Sequence, residues 1–392
     1  MPPSSSPDYR LAVTTFALAI FGLVMISSVS VYQSYNSFGT NDFYFWRTFW
    51  HLVLALPIWF IVSQIPYRFF QKIAPLFFFL TILLLIAVFL PNLGANYGTS
   101  QSWLSVNFLP SIQPAEIAKL ALILYMAAWI EKHHAKITTL EDGFLPFCVI
   151  MGIIVILLGL QPDFGSILAA GITATAIFFV AGGRITHILS GATLAVMLLI
   201  PIVMSKTYLK NRFLAFIDPT ADPLNIGYQI KQALIAVGKG GWFGVGFGKS
   251  VQKFGYLPEV QGDTIFSAIA EEFGFLRIIL LIAAFSYIAY RGLSIAKKTP
   301  DIFGKLTAVG ITVSLVGQAF INIAVNLSLL PITGITLPFI SYGGSSLIIS
   351  FIAVGILINI SRNGNILYDP INANNSNRRR NRRPHRSPAR YY

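Results

Sequence analysis

The sequence predicts an all-α membrane protein with about ten transmembrane helices. Of its 392 residues, 55% are hydrophobic and only 11% are charged, a composition too apolar for an ordinary soluble domain. Apolar runs of about twenty residues recur along the chain, and this length crosses a hydrocarbon core about 30 Å thick. The single cysteine, Cys148, lies inside one such run, which excludes a disulfide framework and a thiolate metal site.

The apolar runs place ten spans in chain order. They are expected near residues 11–31, 48–64, 69–90, 113–130, 143–160, 164–182, 186–204, 263–290, 307–330 and 339–361. The short loops on one side carry ten lysines and arginines, and those on the other side carry only Arg47. This bias predicts that both termini are cytoplasmic. Residues 1–10 then form a cytoplasmic N-terminus, and residues 205–262 form a large extracytoplasmic loop between the seventh and eighth spans.

The last segment, residues 363–392, is a basic tail. Seven arginines stand between positions 378 and 390 among asparagines and prolines, a composition typical of disorder. On the cytoplasmic side, such a tail is expected to bind anionic membrane lipid. No nucleic-acid partner is predicted, because a basic patch alone is a weak signature of one.

Three charged residues lie at the ends of predicted spans. Glu116 and Lys119 are three residues apart and share a helix face. An ionised side chain at mid-membrane costs about 2.5–3.5 kcal/mol, so this pair is expected to face the bundle interior or a wet cavity. Asp163, in QPDFGS, is placed to cap the next helix, and its tight polar turn could also line a cavity.

The large loop is rich in cations and glycines. Its lysines and arginine outnumber its carboxylates, which favours an anionic partner such as a diphosphate or lipid head groups. These residues are Lys206, Lys210, Arg212, Lys231, Lys239, Lys249 and Lys253, against Asp218, Asp222 and Glu259. Interfacial anchoring by Trp242, Phe243 and Phe247 is the alternative. The glycines match neither the phosphate-binding loop G-x-x-x-x-G-K-S nor the dinucleotide-binding motif G-x-G-x-x-G. They predict a closely packed backbone instead.

Asp263 precedes the eighth span and has two compatible interpretations. It is placed to cap the helix, and a carboxylate at the membrane edge beside Glu259 can act as a general base on a hydroxyl. Glu271 and Glu272 follow two turns later, where Arg277 is a candidate partner for one of them. Asn322 and Asn326, at i and i+4, are expected to form inter-helical hydrogen bonds. The start of the last span, with Pro338 and two glycines, predicts an irregular backbone.

Five stretches, in this order, resemble the SEDS family (shape, elongation, division, sporulation), which includes FtsW, RodA and SpoVE. They are SIQPAEIAKL, QPDFGS, RFLAFIDPTADPLNIGYQIKQALIAVGKGGWFGVGFGKSVQKFGYLPE, DTIFSAIAEEFGF and NLSLLPITGITLPFISYGGSS. The likeness covers residues 11–362. Within it, GKSVQKFGYLPE looks more like the division member FtsW than the elongation member RodA.

The resemblance implies a glycosyltransferase that polymerises lipid II into β-1,4 glycan strands at the outer face of the bacterial cytoplasmic membrane, at the division septum. It implies as partners lipid II and the growing strand, a class B penicillin-binding transpeptidase and other divisome proteins. In the family, the aspartate of a Pro-Glu-x-x-x-Asp motif is the essential catalytic residue, and here that position is Asp263. The family usually has His-Thr before it, where this chain has Gln261 and Gly262.

For this reaction we expect Asp263 to act as the base, with Glu259 in support, and undecaprenyl diphosphate to leave. The candidate substrate-binding residues are Glu116, Lys119, Asp163, Arg212, Gln229, Lys239, Lys249 and Ser341. The cations among them would neutralise the departing diphosphate. The scattered histidines form no metal-ligand cluster, and a divalent cation is the one cofactor left open.

Two other classes of function stay open from the sequence. In a transporter that flips lipid-linked precursors, Glu116, Lys119 and Asp163 would be the charges of the translocation path. In a non-enzymatic scaffold that activates the transpeptidase, neither these charges nor Asp263 would be essential.

Overall fold

Helices form nearly all of the structure, a computed structural model that describes residues 6–91, 93–97, 100–105, 111–205, 207–219 and 226–363. In chain order they are α1 (Tyr9–Val29), α2 (Val31–Phe38), α3 (Phe43–Gln64), α4 (Tyr67–Ala87), α5 (Pro114–His133), α6 (Leu145–Leu160), α7 (Phe164–Val180), α8 (Ile185–Ser205), α9 (Thr207–Ile217), α10 (Ile226–Gly240), α11 (Ile265–Lys298), α12 (Ile302–Asn326) and α13 (Gly344–Asn363). A short antiparallel hairpin, β1 (Gly94–Tyr97) and β2 (Ser100–Leu104), precedes α5. The basic tail beyond residue 363 lies outside the described residues, as do Lys206 and Asp222.

Each of the ten predicted spans coincides with a helix. Seven segments of the described chain are long and apolar enough to cross a membrane, and they contain α1, α3, α4, α6, α11, α12 and α13. Helix α7 and the first part of α8 are apolar but shorter. Several ends differ from the prediction: α11 continues to Lys298, and α13 begins only at Gly344. The polytopic all-α class is therefore confirmed.

Helices α5 and α12 lie at the centre of the bundle. Most residues of both helices are buried, whereas α3 and α4 expose long apolar faces. Helix α5 packs against α4, α7, α12 and α13. Its buried alanines allow these close approaches, because small residues let helix backbones come near each other in a membrane bundle. They are Ala115, Ala118, Ala121, Ala127 and Ala128.

The predicted large loop contains two helices of its own. Helix α9 follows α8 after one residue, and α10 packs against the first part of α11. At the end of α10, a Cβ atom on Gly240 would lie 2.0 Å from the main-chain oxygen of Ala270. The prediction that glycines let this segment pack closely is confirmed.

Helix α11 is broken at Gly274, where φ is 73° and ψ is 175°. The loop after α10 crosses the break and satisfies the backbone groups that the break frees. The N–H groups of Val245 and Gly246 donate to the Glu271 and Glu272 carbonyls (2.9 and 3.1 Å). The N–H groups of Phe275 and Leu276 donate to the Gly241 and Trp242 carbonyls (2.8 and 3.1 Å). Irregular backbone in a membrane bundle requires such internal partners.

We predict that Gly274→Ala strongly destabilises the protein. This φ and ψ combination is essentially restricted to glycine, and such strain costs about 1–3 kcal/mol. A Cβ there would also lie 2.2 Å from the Gly244 nitrogen, so the crossing backbones would have to separate. Thermal unfolding of the purified protein in detergent should show a clearly lower Tm.

Gly238→Ala is the matched control for this variant. Gly238 lies inside α10, and a Cβ there meets no atom within 4 Å. Alanine in a helix interior should keep or raise the Tm. A Gly274→Ala protein as stable as the Gly238→Ala protein would show that the break does not require glycine.

Candidate functional site

A polar turn, residues 258–264, leads into α11 and contains both Glu259 and Asp263. Helix α11 begins at Ile265 with Thr264 at the N-cap position. The prediction that Asp263 caps this helix is therefore wrong by one residue. The Thr264 hydroxyl instead donates to the Pro258 carbonyl (2.6 Å), and the Gly262 N–H donates to the Glu259 carbonyl (2.8 Å). These two bonds close the turn on itself.

Helix α12 holds this turn through the main-chain carbonyl of Asp263. The side-chain amides of Asn322 and Asn326 both donate to this oxygen, each at 2.8 Å. Asn322 also donates to the Ile335 carbonyl (2.8 Å), and Asn326 accepts from the Ser267 hydroxyl (2.7 Å). Both asparagines are almost fully buried. The expected hydrogen bonds of these asparagines are confirmed, and they fix the backbone at Asp263.

The Asp263 carboxylate has one unsatisfied oxygen. Its Oδ1 atom is buried and accepts no hydrogen bond from any residue that the structure describes. Burial, and after it the nearby Glu259 carboxylate, raise the pKa of Asp263 from its usual value to about 7. Arg212 of α9 and the N–H groups of Asp263 and Thr264 act in the opposite direction. A carboxylate with this pKa can accept a proton near neutral pH.

A small cavity opens beside Asp263 between α10 and α12. Its walls come from three parts of the chain: Gln229, Ile230 and Ala233 of α10, Asp263 and Thr264 of the turn, and Val325, Asn326 and Ile332. Gln229 is thus brought to Asp263, as a candidate substrate-binding residue should be. Apolar side chains and the two amides of Gln229 and Asn326 line the cavity together with Asp263.

Arg212 links Asp263 to a second charged group on α5 and α7. It interacts electrostatically with both Asp263 and Asp163, and Asp163 interacts in turn with Lys119 and Glu116. Asp163 caps α7 as predicted, accepting from the Ser166 N–H (3.0 Å) and hydroxyl (2.8 Å). Burial raises its pKa. Charged residues from separate parts of the sequence are therefore close enough to act on one another electrostatically, from Glu116 and Lys119 through Asp163 and Arg212 to Asp263.

The Glu116–Lys119 ion pair is buried and fully engaged. The Lys119 ammonium lies 2.8 Å from Glu116 Oε1 and donates to Gln318 Oε1 at 2.5 Å. Gln318 donates in turn to the Thr336 carbonyl (3.0 Å), in the irregular segment before α13. The predicted shared helix face is confirmed, and these contacts tie α5 to α12.

Three candidate residues, Lys239, Lys249 and Ser341, do not line the cavity beside Asp263. Lys239 is ten residues beyond Gln229 on α10, about 15 Å along the helix axis. Lys249 is exposed on the loop that crosses the break in α11, with its side chain over Gly246. The Ser341 hydroxyl is buried and accepts from the Leu337 N–H (2.8 Å), inside the segment before α13. Lys239 and Lys249 are therefore not brought to the turn, whereas Ser341 directly precedes Tyr342, whose N–H donates to the Gln261 carbonyl of the turn (2.8 Å).

A second buried polar cluster joins the loop to α11. The Lys253 ammonium pairs with Glu272 Oε1 (2.9 Å) and donates to the Ser28 hydroxyl of α1 (3.0 Å). Glu271 accepts from the Ser250 hydroxyl (2.5 Å) and from two backbone N–H groups. The expectation that Arg277 pairs with one of these glutamates is wrong, because Arg277 donates to the Phe243 carbonyl (2.9 Å). Lys253, being 4% exposed, is also no part of a cationic surface.

We predict that Lys253→Met destabilises the protein by about 3–5 kcal/mol, since it leaves the Glu272 carboxylate buried without its cation. The matched control is Lys231→Met, which removes an exposed lysine of α10 and should leave the Tm within error. Thermal unfolding of both variants in detergent measures this. Equal Tm values for the two variants would contradict the assignment of Lys253 as a structural cation.

Sequence reasoning missed Gln318, although a signal for it was present. Gln318, Asn322 and Asn326 follow one another at intervals of four residues on an otherwise apolar helix. This spacing predicts that the three amides lie on one face of α12. In the structure all three side chains are buried. Within the described part of the chain, no group of three or more His, Cys, Asp or Glu side chains could hold a metal ion.

Residues 9–366 match the model of the FtsW/RodA/SpoVE family, which is described as a cell cycle protein. The chain belongs to this family. Its FtsW/RodA/SpoVE relatives include stage V sporulation protein E of Bacillus subtilis, 37% identical over 91% of this chain and 98% of that protein. A probable peptidoglycan glycosyltransferase FtsW of Alkalilimnicola ehrlichii is 38% identical over 90% of this chain and 88% of that protein.

Solved structures of the FtsW/RodA/SpoVE family share the fold. One belongs to a peptidoglycan synthase complex that coordinates polymerisation and crosslinking, with a TM-score of 0.76 and 27% identity over 91% of this chain and 98% of that one. The rod shape determining protein RodA of Thermus thermophilus gives a TM-score of 0.67 and 25% identity, covering 93% and 98%. The resemblance inferred from the sequence motifs is confirmed.

Proposed function

We propose that this family member is a peptidoglycan glycosyltransferase that polymerises lipid II into β-1,4 glycan strands during cell division. Relatives that share 37–38% of its sequence over 90% of the chain are named as such enzymes. The observation that carries the proposal is the Asp263 carboxylate. It has a buried, unsatisfied oxygen and a pKa of about 7, and it lines a small cavity.

In the proposed reaction, Asp263 takes the proton from the attacking hydroxyl of the acceptor sugar. The hydroxyl oxygen forms a bond to the anomeric carbon of the donor sugar as the bond from that carbon to the diphosphate oxygen breaks. The electron pair of the broken bond leaves with undecaprenyl diphosphate, and the proton stays on Asp263 until it passes to water. General-base assistance of this kind contributes about 10²–10⁴-fold to a rate.

Arg212 supports the departure of the diphosphate. Its positive charge acts on the Asp263 carboxylate, and its guanidinium can donate two parallel hydrogen bonds to phosphate oxygens. Fixed positive charge where negative charge develops lowers the barrier without reorganisation of solvent. Gln229, across the cavity from Asp263, is suited to bind a sugar hydroxyl or amide. Lys119 is less suited to the diphosphate, since Glu116 and Gln318 already engage its ammonium.

The contacts favour an enzyme over a lipid transporter. A translocation path requires charges that can exchange partners, and Glu116, Lys119 and Asp163 are each fixed by short contacts within the bundle. The catalytic partner we propose is a class B penicillin-binding transpeptidase, together with other divisome proteins at the septum. The structural neighbour from a peptidoglycan synthase complex supports this choice. Both termini would be cytoplasmic and the turn at Asp263 extracytoplasmic.

The first test replaces Asp263 by asparagine. Asp263→Asn keeps the size and shape of the side chain and the main-chain carbonyl that Asn322 and Asn326 bind, but it removes the carboxylate base. We expect polymerisation of lipid II by the complex with the cognate transpeptidase to fall at least about 100-fold. Glycan strands are separated by gel electrophoresis, and folding and complex formation are checked first.

Glu141→Gln is the control, because it makes the same change at an exposed carboxylate in the turn before α6. It should polymerise like the wild type. Equal polymer from Asp263→Asn would refute the mechanism. If an intact wild-type complex makes no polymer, the transferase assignment fails, and a lipid-flipping assay then distinguishes a transporter from a scaffold.

The pH dependence of polymerisation provides a separate prediction. A base must be ionised, so the rate should rise with pH through a midpoint near 7, the pKa of Asp263. At pH 6 the rate should be about tenfold below its plateau, since only that fraction of the carboxylate is ionised. Initial rates between pH 5 and 9 measure the midpoint.

Two variants should move this midpoint in opposite directions. Glu259→Gln removes a like charge and lowers the pKa of Asp263, so the midpoint should fall. Arg212→Gln removes the favourable cation, so the midpoint should rise. A profile whose midpoint neither variant moves would assign the titration to a group other than Asp263.

A further inference from the structure

A second cavity lies at the opposite end of the bundle, where α1 begins and where α11 and α13 end. It has a volume of about 400 Å³ and is far larger than the small cavity beside Asp263. Its walls come from residues 6–10, from the last two turns of α11 with Thr299, and from Ile360 and Ser361 of α13. Because it lies at the ends of three predicted spans, it is at the boundary between hydrocarbon and water.

The charged residues that line this cavity are mainly cationic. Arg10, Arg291 and Lys298 line it, and Asp8 is its one carboxylate. Asp8 is already neutralised, because the Arg291 Nε and Nη2 atoms both donate to its Oδ2 (2.9 and 2.6 Å). Asp8 also caps α1 by accepting from the Leu11 N–H (3.1 Å). The Asp8 carboxylate therefore repels an anion little.

Arg10 and Lys298 are available to a ligand. Both side chains are exposed, and neither forms an ion pair with any residue in the described ranges. They stand on two different helices, at the start of α1 and at the last residue of α11. Ser294 also lines the cavity, as does Ser361, whose hydroxyl already accepts from the Asp8 N–H (3.1 Å) and donates to the Ile358 carbonyl (2.7 Å). Two cations and the Ser294 hydroxyl around one cavity suit a phosphate group.

We propose that this cavity binds the head group of an anionic phospholipid. A phosphate at the membrane boundary meets the two free cations, and the acyl chains extend beside the exposed apolar face of α1. Basic pockets between transmembrane helices are a recurrent way of binding such head groups. The site differs from the arginine-rich tail, which would bind anionic lipid through charge alone. It is also independent of the glycosyltransferase proposal, because it does not involve Asp263.

The proposal is tested by lipid-dependent thermal stability of the full-length protein in detergent. A ligand that binds only the folded state raises the Tm in a concentration-dependent way. Titration with phosphatidylglycerol should therefore raise the Tm more than titration with phosphatidylcholine does. The variant Arg10→Gln/Lys298→Gln should weaken the apparent affinity for phosphatidylglycerol about thirtyfold, from two cations near the membrane surface.

The matched control is Lys297→Gln/Lys305→Gln. It removes two exposed cations at the same end of the molecule, neither of which lines the cavity. The control should respond to phosphatidylglycerol like the wild type. An equal loss in both double variants, or in neither, would mean that net charge or the tail binds the lipid, and would overturn the site. Glycerol phosphate is the last arm: if it stabilises as well as phosphatidylglycerol, the ligand is a soluble phosphate ester and the lipid assignment is wrong.

Discussion

The structure depends on one hydrogen-bonded point, the main-chain carbonyl of Asp263. In a membrane bundle every polar backbone group must find a partner inside the protein, and the start of α11 leaves this carbonyl without a helical one. Asn322 and Asn326 supply two amides to it from the centre of the bundle. The backbone position of Asp263 is thus fixed by α12, a largely buried helix at the centre of the bundle.

The buried charged side chains differ in how completely hydrogen bonds and ion pairs satisfy them. Lys119 with Glu116 and Lys253 with Glu272 are pairs in which each ammonium has two or more partners within 3.0 Å. Such groups specify how segments pack, and they have little capacity left for a ligand. Asp263 is different, because burial disfavours its charge while one oxygen stays unsatisfied. A buried, incompletely satisfied carboxylate is typical of functional sites, which is why the proposed function rests on Asp263.

The sequence predicted the helices well because membrane spans depend on local composition and length. It also predicted the Glu116–Lys119 pair and the Asp163 cap, since both involve residues three apart on one helix. It could not predict that Lys253 lies inside, because its partner Ser28 is 225 residues away. The break at Gly274 was equally hidden, since it depends on the backbone of residues 241–246 crossing there.

The unusual Gln261–Gly262 pair before Asp263 can be understood in the same terms. The Gln261 carbonyl accepts from the Tyr342 N–H (2.8 Å), and the Gly262 N–H donates to the Glu259 carbonyl, so the main chain holds this part of the turn. A Cβ on Gly262 would lie 3.4 Å from the Glu259 carbonyl oxygen, an ordinary contact, so the backbone does not require glycine there. The position of Asp263 therefore does not depend on which side chains occupy positions 261 and 262. The Gln261 side chain is nevertheless buried two residues before Asp263, and its Oε1 atom has no hydrogen-bond donor among the described residues.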